Sequence, residues 1–344
     1  MASPITRPQH ITTSPPIVAG SSVLSAPSPT TAKVAEFFRK YNECLDENFT
    51  SYTHRLYRCH FENSKKAILQ AARGLCGTAI LLGVGSANDL PLEELANQFD
   101  CIDIVDIDLT MADTVIAKLP MDIKHKFRTH AIDLTGIIRR LDEILDVVIE
   151  SKAPHEEFCD RAIETLQRLR KAELPLKDHS ASFVVSSLVC SQISYKLYEY
   201  LELRSQTAYG KGLFHSSDDK KAELFSAIGS MEKSHIQDLH RLVEAEGRVY
   251  FSDHFSYQDV ESFVCNSEII FLKDKTKTMI TNSLETQKFS DKYFKTVTEE
   301  KWDWMLPMYK KQECLIPLEN KRFLRGFTAT HKKFNVTALT LAPK

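Results

Sequence analysis

Apolar residues along the 344-residue chain follow two periods in turn, and the alternation outlines a fold. A helical period governs 34–74, in "AEFFRKYNECL" and "HRLYRCHFENSKKAILQAARG", with Gly74 placed to end the helix in a left-handed cap. Short apolar runs follow at 79–83, at 101–108 in "CIDIVDID" and at 127–134 in "FRTHAIDL", with a helix from about 90 between the first two. Strand and helix alternating in this way predict a parallel sheet with helices on its faces.

Residues 136–178 exceed an ordinary connection in such a fold. Apolar positions 137, 138, 141, 144, 145 and 148 share one helical face and 158, 162, 166 and 169 another, which predicts an inserted helical pair. A fourth strand follows in "SFVVSSLV", 182–189. A stripe at 224, 225, 228, 231, 235, 236, 239, 242 and 243 then stops at Gly247, and "RVYFSDHF" starts a fifth strand directly after it. "TKTMITN" and "NVTALTLAP" read as β-structure added at the far edge of the sheet.

Composition alters this picture at the two ends of the chain. Residues 1–33 hold 17 Ser, Thr or Pro and no acidic residue, too little apolar surface to offset the entropy of ordering, so a disordered tail is expected. Such a tail is either a plain flexible segment or an address of the kind carried by exported bacterial effectors. At the other end, 271–344 carries 15 Lys and Arg against 8 Asp and Glu, within a chain of net charge −2. That surplus is read first as a solvated face and second as a surface for an acidic partner. No run approaches the roughly 18 uncharged apolar residues of a membrane span. The eight cysteines contain no C-x-x-C pair, which fits reduced thiols in a cytoplasmic protein, and no Cys/His spacing marks a metal site.

The chemistry gathers in "AILLGVGSANDLPLEEL", 79–95, where a strand runs through Gly83 and Gly85 into a helix. Glycines at such a turn let backbone approach a nucleotide-like ligand. A dinucleotide fingerprint fails, because its third glycine would fall on Asn88. Three further features lie at the ends of successive strands: Asp106 with Asp108 in "IVDID", Asp133 in "HAIDL", and Ser186 and Ser187 in "SSLVCSQ". Each has a plainer reading, since Asp106, Asp108 and Asp133 are all placed to cap a following helix. Their order, at the edge where open α/β sheets bind ligands, favours a site.

Over roughly 75–255 this order resembles the class I S-adenosylmethionine-dependent methyltransferases. The resemblance implies an α/β, Rossmann-like doubly wound, mostly parallel seven-stranded sheet, to which this chain adds an N-terminal helical cap at 34–74 and the helical insertion at 136–178 of a 75–344 domain. It implies S-adenosyl-L-methionine as cofactor: Gly83, Gly85 and Ser86 against methionine and ribose, Asp106 on the ribose hydroxyls with Ile107 beside it and Asp108 as the fallback, Asp133 and Leu134 at the adenine. Ser186, Ser187 and Leu188 would border the methyl group. The family often has an acidic residue two before the first glycine, where this chain has Leu81, and a third glycine where it has Ala87. Either another group meets the cofactor's ammonium or affinity is poor.

Methyl transfer from a sulfonium requires alignment, and a general base where the acceptor must lose a proton. "SDHF" brings His254 to the end of strand five as the candidate base. Cys190 follows Val189 rather than a proline, unlike enzymes that methylate carbon 5 of pyrimidines, and "SSLVCSQ" lacks the proline run of those that methylate exocyclic base amines. Nucleic acid therefore ranks behind a small molecule or a protein side chain as acceptor. Tyr52, Arg55, Tyr57, Tyr195, Tyr198 and Tyr209 are available to wall its pocket. The reading from a different class is a catalytically degenerate interaction protein that keeps the fold, with an exported effector acting in a host cell as one form of it.

Overall fold

In the computed structural model the described residues are 51–169, 174–213, 218–265, 268–280, 289–305, 310–317 and 323–344, with Glu36 and Arg39. The tail at 1–33 and most of 34–50 lie outside them, as do the side chains of Tyr52 and Arg55.

Five strands build the parallel half of the sheet: β1 (Thr78–Leu82), β2 (Cys101–Asp106), β3 (Phe127–Ala131), β4 (Ala181–Ser187) and β5 (Val243–Cys265). Their spatial order is β3-β2-β1-β4-β5, continued by β9 (Phe323–Pro343) and then β7 (Phe294–Met305). The chain reverses direction of winding between β1 and β4, the switch point at which doubly wound sheets open a crevice. β1 and β4 are buried along almost their whole length, as strands covered on both faces must be.

β9 runs antiparallel to β5 on one side and to β7 on the other. The C-terminal β-structure expected at the far edge is thus one strand inside it, and β7 forms the edge. A lone antiparallel strand is invisible to periodicity, because both orientations alternate with period two.

Beyond the cavity edge the sheet continues as an antiparallel ribbon. Ser252 of β5 lies opposite Ser187, the last residue of β4, and β5 then proceeds to Cys265. Over that stretch it pairs with β6 (Glu268–Ile280) and β9, and β9 in turn pairs with β8 (Lys310–Pro317).

The first described helix, α1 (Ser51–Ala72), ends at Gly74 with φ +79, the left-handed cap predicted for it. α1 has no basic residue in its last turn. Arg248 of β5 supplies that charge from outside, its Nη1 donating to the carbonyls of Ala71 and Arg73 at 3.1 and 2.9 Å. Between the strands lie α2 (Leu92–Gln98), α3 (Thr110–Ile116) and α4 (Met121–Lys124).

The inserted pair is α5 (Ile138–Glu150) and α6 (His155–Arg168). Ile138, Leu141, Leu145 and Val148 on one, and Phe158, Ala162 and Leu166 on the other, enter a common core with α7 (Val189–Tyr209) and α8 (Asp218–Leu242). Tyr200 of α7 donates to the buried carboxylate of Asp142, and Arg204 reaches both Asp142 and Asp146, so α5 is fastened to α7 by charge as well as packing.

β5 begins at Val243, earlier than the strand expected after Gly247. The register with β4 shifts there, Ala181 facing Val243 but Phe183 facing Arg248. Gly247 occupies this bulge, where a Cβ would stand 2.7 Å from a Val243 methyl and 2.8 Å from the Ser182 carbonyl. The glycine read as a stop is therefore an irregularity inside the strand. Among the described residues no helix is long and apolar enough to cross a membrane.

Candidate functional site

A cavity of about 320 Å³ opens at the carboxyl ends of β1, β2, β3 and β4. Its floor is the β1 turn, with Gly83, Val84, Gly85, Ser86 and Asp89; Asp106, Ile107, Asp133, Leu134 and Thr135 follow from β2 and β3. Ser187 and Leu188 close it at β4, and walls descend from α1 (Tyr57, His60, Phe61), α5 (Ile138) and α7 (Val189, Gln192, Ile193, Lys196, Leu197).

Backbone conformation explains the turn. Gly83 and Gly85 have φ +63 and +50, which glycine adopts without the cost a side chain brings. A Cβ on Gly83 would press to 2.9 Å from a Val189 methyl, whereas one on Gly85 would meet open space. Gly83 thus serves packing of the turn against α7, and Gly85 keeps the cavity floor clear. Two non-glycine residues also hold left-handed conformations, Leu188 in the cavity wall with φ 58 and Ala87 in the turn behind it with φ 55. Leu81 is fully buried in the apolar core beneath.

Asp106 is buried at the end of β2. Its Oδ2 accepts the Gly85 N–H at 2.9 Å and its Oδ1 the Asp108 N–H at 3.2 Å. Burial raises its pKa above the ordinary carboxylate value against the pull of these backbone donors. The Ile107 N–H bears on it as a third backbone donor, and the ionised carboxylate keeps acceptor capacity for a ribose hydroxyl. Asp133 is occupied differently: Oδ1 accepts the N–H and hydroxyl of Thr135 at 2.8 and 2.6 Å, and Oδ2 the Ile138 N–H at 3.0 Å. It fixes the first turn of α5 while lining the cavity.

Three of the residues expected at the site lie outside the cavity wall. Asp108 is buried and accepts from the Thr110 N–H and hydroxyl at 3.1 and 2.7 Å, a capping role at α3. Ser186 is fully buried, its hydroxyl bonded to His235 of α8 at 2.9 Å. His254 is 6% exposed and bonds Ser191 through Nδ1 at 3.2 Å; burial first, and the His60 charge second, lower its pKa to about 3. His254, expected as the proton acceptor, thus stands behind the cavity wall as a neutral, weakly basic imidazole. The structure brings together the others: Gly83, Gly85, Ser86, Asp106, Ile107, Asp133, Leu134 and Ser187.

Of the aromatic residues proposed for the wall, Tyr57 is there, stacked on Phe61 with ring centroids 5.6 Å apart. Tyr198 stacks on Phe225, Tyr209 packs against His155 and Phe158, and Tyr195 is exposed. His60 and Phe61, which were not among the residues expected there, follow Tyr57 by three and four residues and so share its face. Nor were Gln192 and Lys196, two polar residues in the otherwise apolar stripe 189, 192, 193, 196, 197 of α7, and that interruption was the available signal.

His60 is buried, and the Trp302 indole N–H donates to its Nδ1 at 3.0 Å. Indole nitrogen only donates, so Nδ1 accepts and the ring proton resides on Nε2. Burial lowers the pKa of His60, with the Asp89 carboxylate pulling it upward. Lys196, 7% exposed, donates to Glu199 at 2.6 Å, and burial lowers its pKa to about 8 while Glu199 raises it. Asp89 holds Ser187 at 2.6 Å.

These features fit an adenosyl-amino acid: a bare turn, a buried carboxylate with spare acceptors, a second carboxylate one strand further on, and apolar walls. No protein-family model matches the sequence, and no curated protein matches it. Many solved structures are similar in fold. A SAM-dependent methyltransferase from Leishmania major is 9% identical over 91% of this chain and 82% of its own, with a TM-score of 0.38. The glycopeptide N-methyltransferase MtfA is 8% identical over 81% and 89%, TM-score 0.33. The [4+2]-cyclase SpnF is 7% identical over 71% and 60%, TM-score 0.37. With β9 the one antiparallel strand on the seven-strand path β3-β2-β1-β4-β5-β9-β7, and the switch point between β1 and β4, that path has the Rossmann-like arrangement of class I methyltransferases.

Proposed function

We propose that the protein is an S-adenosylmethionine-dependent methyltransferase acting on a small molecule or a protein side chain. One observation carries this reading: Asp133, Asp106 and the bare Gly83–Gly85 turn stand at the ends of β3, β2 and β1 in the order of the strands, around one cavity. Bound there, S-adenosylmethionine supplies a methyl group on a sulfonium, whose departing group is a neutral thioether.

The chain's own work is binding and alignment. Asp106 offers its spare acceptor positions to the ribose hydroxyls, and Gly85 lets the backbone come close. Asp133 and Leu134 flank the adenine, with Ile138 and Ile193 as apolar contacts. Ser187 and Leu188, where β4 turns into α7, border the reacting centre. Tyr57, His60 and Phe61 face it from α1 and form the acceptor's wall, with the His60 Nε2–H as a neutral donor.

Calorimetric titration with S-adenosylmethionine and S-adenosylhomocysteine, on the protein and on Asp106→Ala, tests the reading. Saturable binding of both ligands, weakened at least tenfold in the variant, is the expected result. Absence of binding to the unsubstituted protein overturns it in favour of an interaction protein that keeps the fold without turnover.

A further inference from the structure

The cavity contains one carboxylate that the resemblance does not assign. Asp89 follows the glycine turn, six residues after Gly83, and reaches the carboxyl end of β4, where the Ser187 hydroxyl donates to its Oδ2 at 2.6 Å. It is half-buried and lines the cavity beside Gly85 and Ser86. In the same turn the position two before Gly83, where the family often carries an acid, is Leu81, sealed in the apolar core. The turn thus carries an apolar residue on its strand side and a carboxylate on its helix side.

The strand order sets the spacing. Asp133 follows β3, Asp106 ends β2, and Asp89 is held at the end of β4, across β1. Neighbouring strands are about 4.8 Å apart, so three steps from β3 to β4 span about 14 Å, the reach of an extended adenosyl-amino acid. With the base at Asp133 and the ribose at Asp106, the amino-acid end arrives at β4. Ser187 fixes one oxygen of Asp89, and the carboxylate that lines the cavity keeps acceptor capacity for a ligand cation.

We infer that Asp89, anchored by Ser187, is the binding residue for the cofactor's α-ammonium group, taking over the part that Leu81 cannot play. The inference rests on the reading proposed above and adds to it a residue that no position of the family motif supplies. Asp89 binds and orients; no proton or bond of the transfer passes through it.

The test compares two ligands that differ at this end only in having the amino acid: S-adenosylhomocysteine, and 5′-methylthioadenosine, which lacks it. Asp89→Asn keeps an oxygen to accept from Ser187 and removes the charge. Titration calorimetry is expected to show tenfold or greater loss of S-adenosylhomocysteine affinity in Asp89→Asn, with methylthioadenosine affinity within twofold of the unsubstituted protein. Ser187→Ala, which leaves the carboxylate but removes its anchor, is expected to weaken S-adenosylhomocysteine by threefold or more, and by at least threefold more than it weakens methylthioadenosine. It decides the matter should Asp89→Asn not fold. Undiminished S-adenosylhomocysteine binding in the variants, or equal loss of both ligands, overturns the inference while the cofactor reading stands. If the unsubstituted protein binds neither ligand, both fall together.

Discussion

Asp253 and His254 are adjacent, buried, and pushed in opposite directions. Burial first, then the Glu232 charge, hold the Asp253 carboxyl up to about 7 against hydrogen bonds from Ser191 and the His254 N–H. Burial and the His60 charge hold the His254 imidazole down to about 3. From the ordinary Asp value of 3.8 up to about 7, the unfolded chain has released a proton that the native Asp253 keeps, so this group's stabilisation is lost as pH rises. From about 3 up to 6.5, the unfolded chain binds a proton that native His254 refuses, so stability rises with pH. The two slopes oppose each other over most of the acid range. Asp253→Asn removes the falling one, and its melting temperature is expected to climb between pH 4.5 and 6.5 while that of the unsubstituted protein stays flatter. Parallel melting curves would show that Asp253 ionises normally in the native state.

At the scale of elements, the β1 turn separates packing from binding in two neighbouring glycines. Gly83→Ala meets both a left-handed backbone, costing about 1–2 kcal/mol, and the Val189 methyl at 2.9 Å, so unfolding by denaturant is expected to show the larger loss. Gly85→Ala meets only the backbone cost, but its methyl enters the cavity floor, so cofactor affinity falls further than stability does. A stability loss in Gly85→Ala equal to that in Gly83→Ala would place Gly85 in the packing instead. What the chain revealed of these elements follows from range. α5 and α6 were legible because Leu141, Leu145, Phe158 and Leu166 repeat within a few residues of one another. The order of Gly83, Asp106 and Asp133 was legible because each closes its own strand. Asp89 was not, because its meaning depends on Ser187, 98 residues away. The burial of His254 depends on α7 and α1 folding over β5, which no local pattern records.

For the whole molecule, the cavity edge and the antiparallel ribbon lie on the same side. β5 runs parallel to β4 and continues past Ser252 to Cys265, so the ribbon of β6, β5, β9 and β8 rises from the carboxyl edge on which the cavity opens. The sheet's last interior strand also ties α1 to the site: β9 carries β7, and Trp302 of β7 positions His60 in the cavity wall. Placing β9 between β5 and β7 has a kinetic consequence. Among the described strands β7 pairs only with β9, so on synthesis or refolding it waits, unpartnered, for a segment that follows it in the chain. The parallel core can form earlier, from pairings already complete within β1 to β5. Refolding followed by far-ultraviolet circular dichroism and by tryptophan fluorescence, which reports on β7 because both tryptophans of the chain lie in it, is expected to show the parallel core forming first and the fluorescence change only with the slowest phase. A wall that arrives last makes the half-built sheet an incomplete site: the chain acquires the floor of its cavity before Trp302 fixes His60 at the other side.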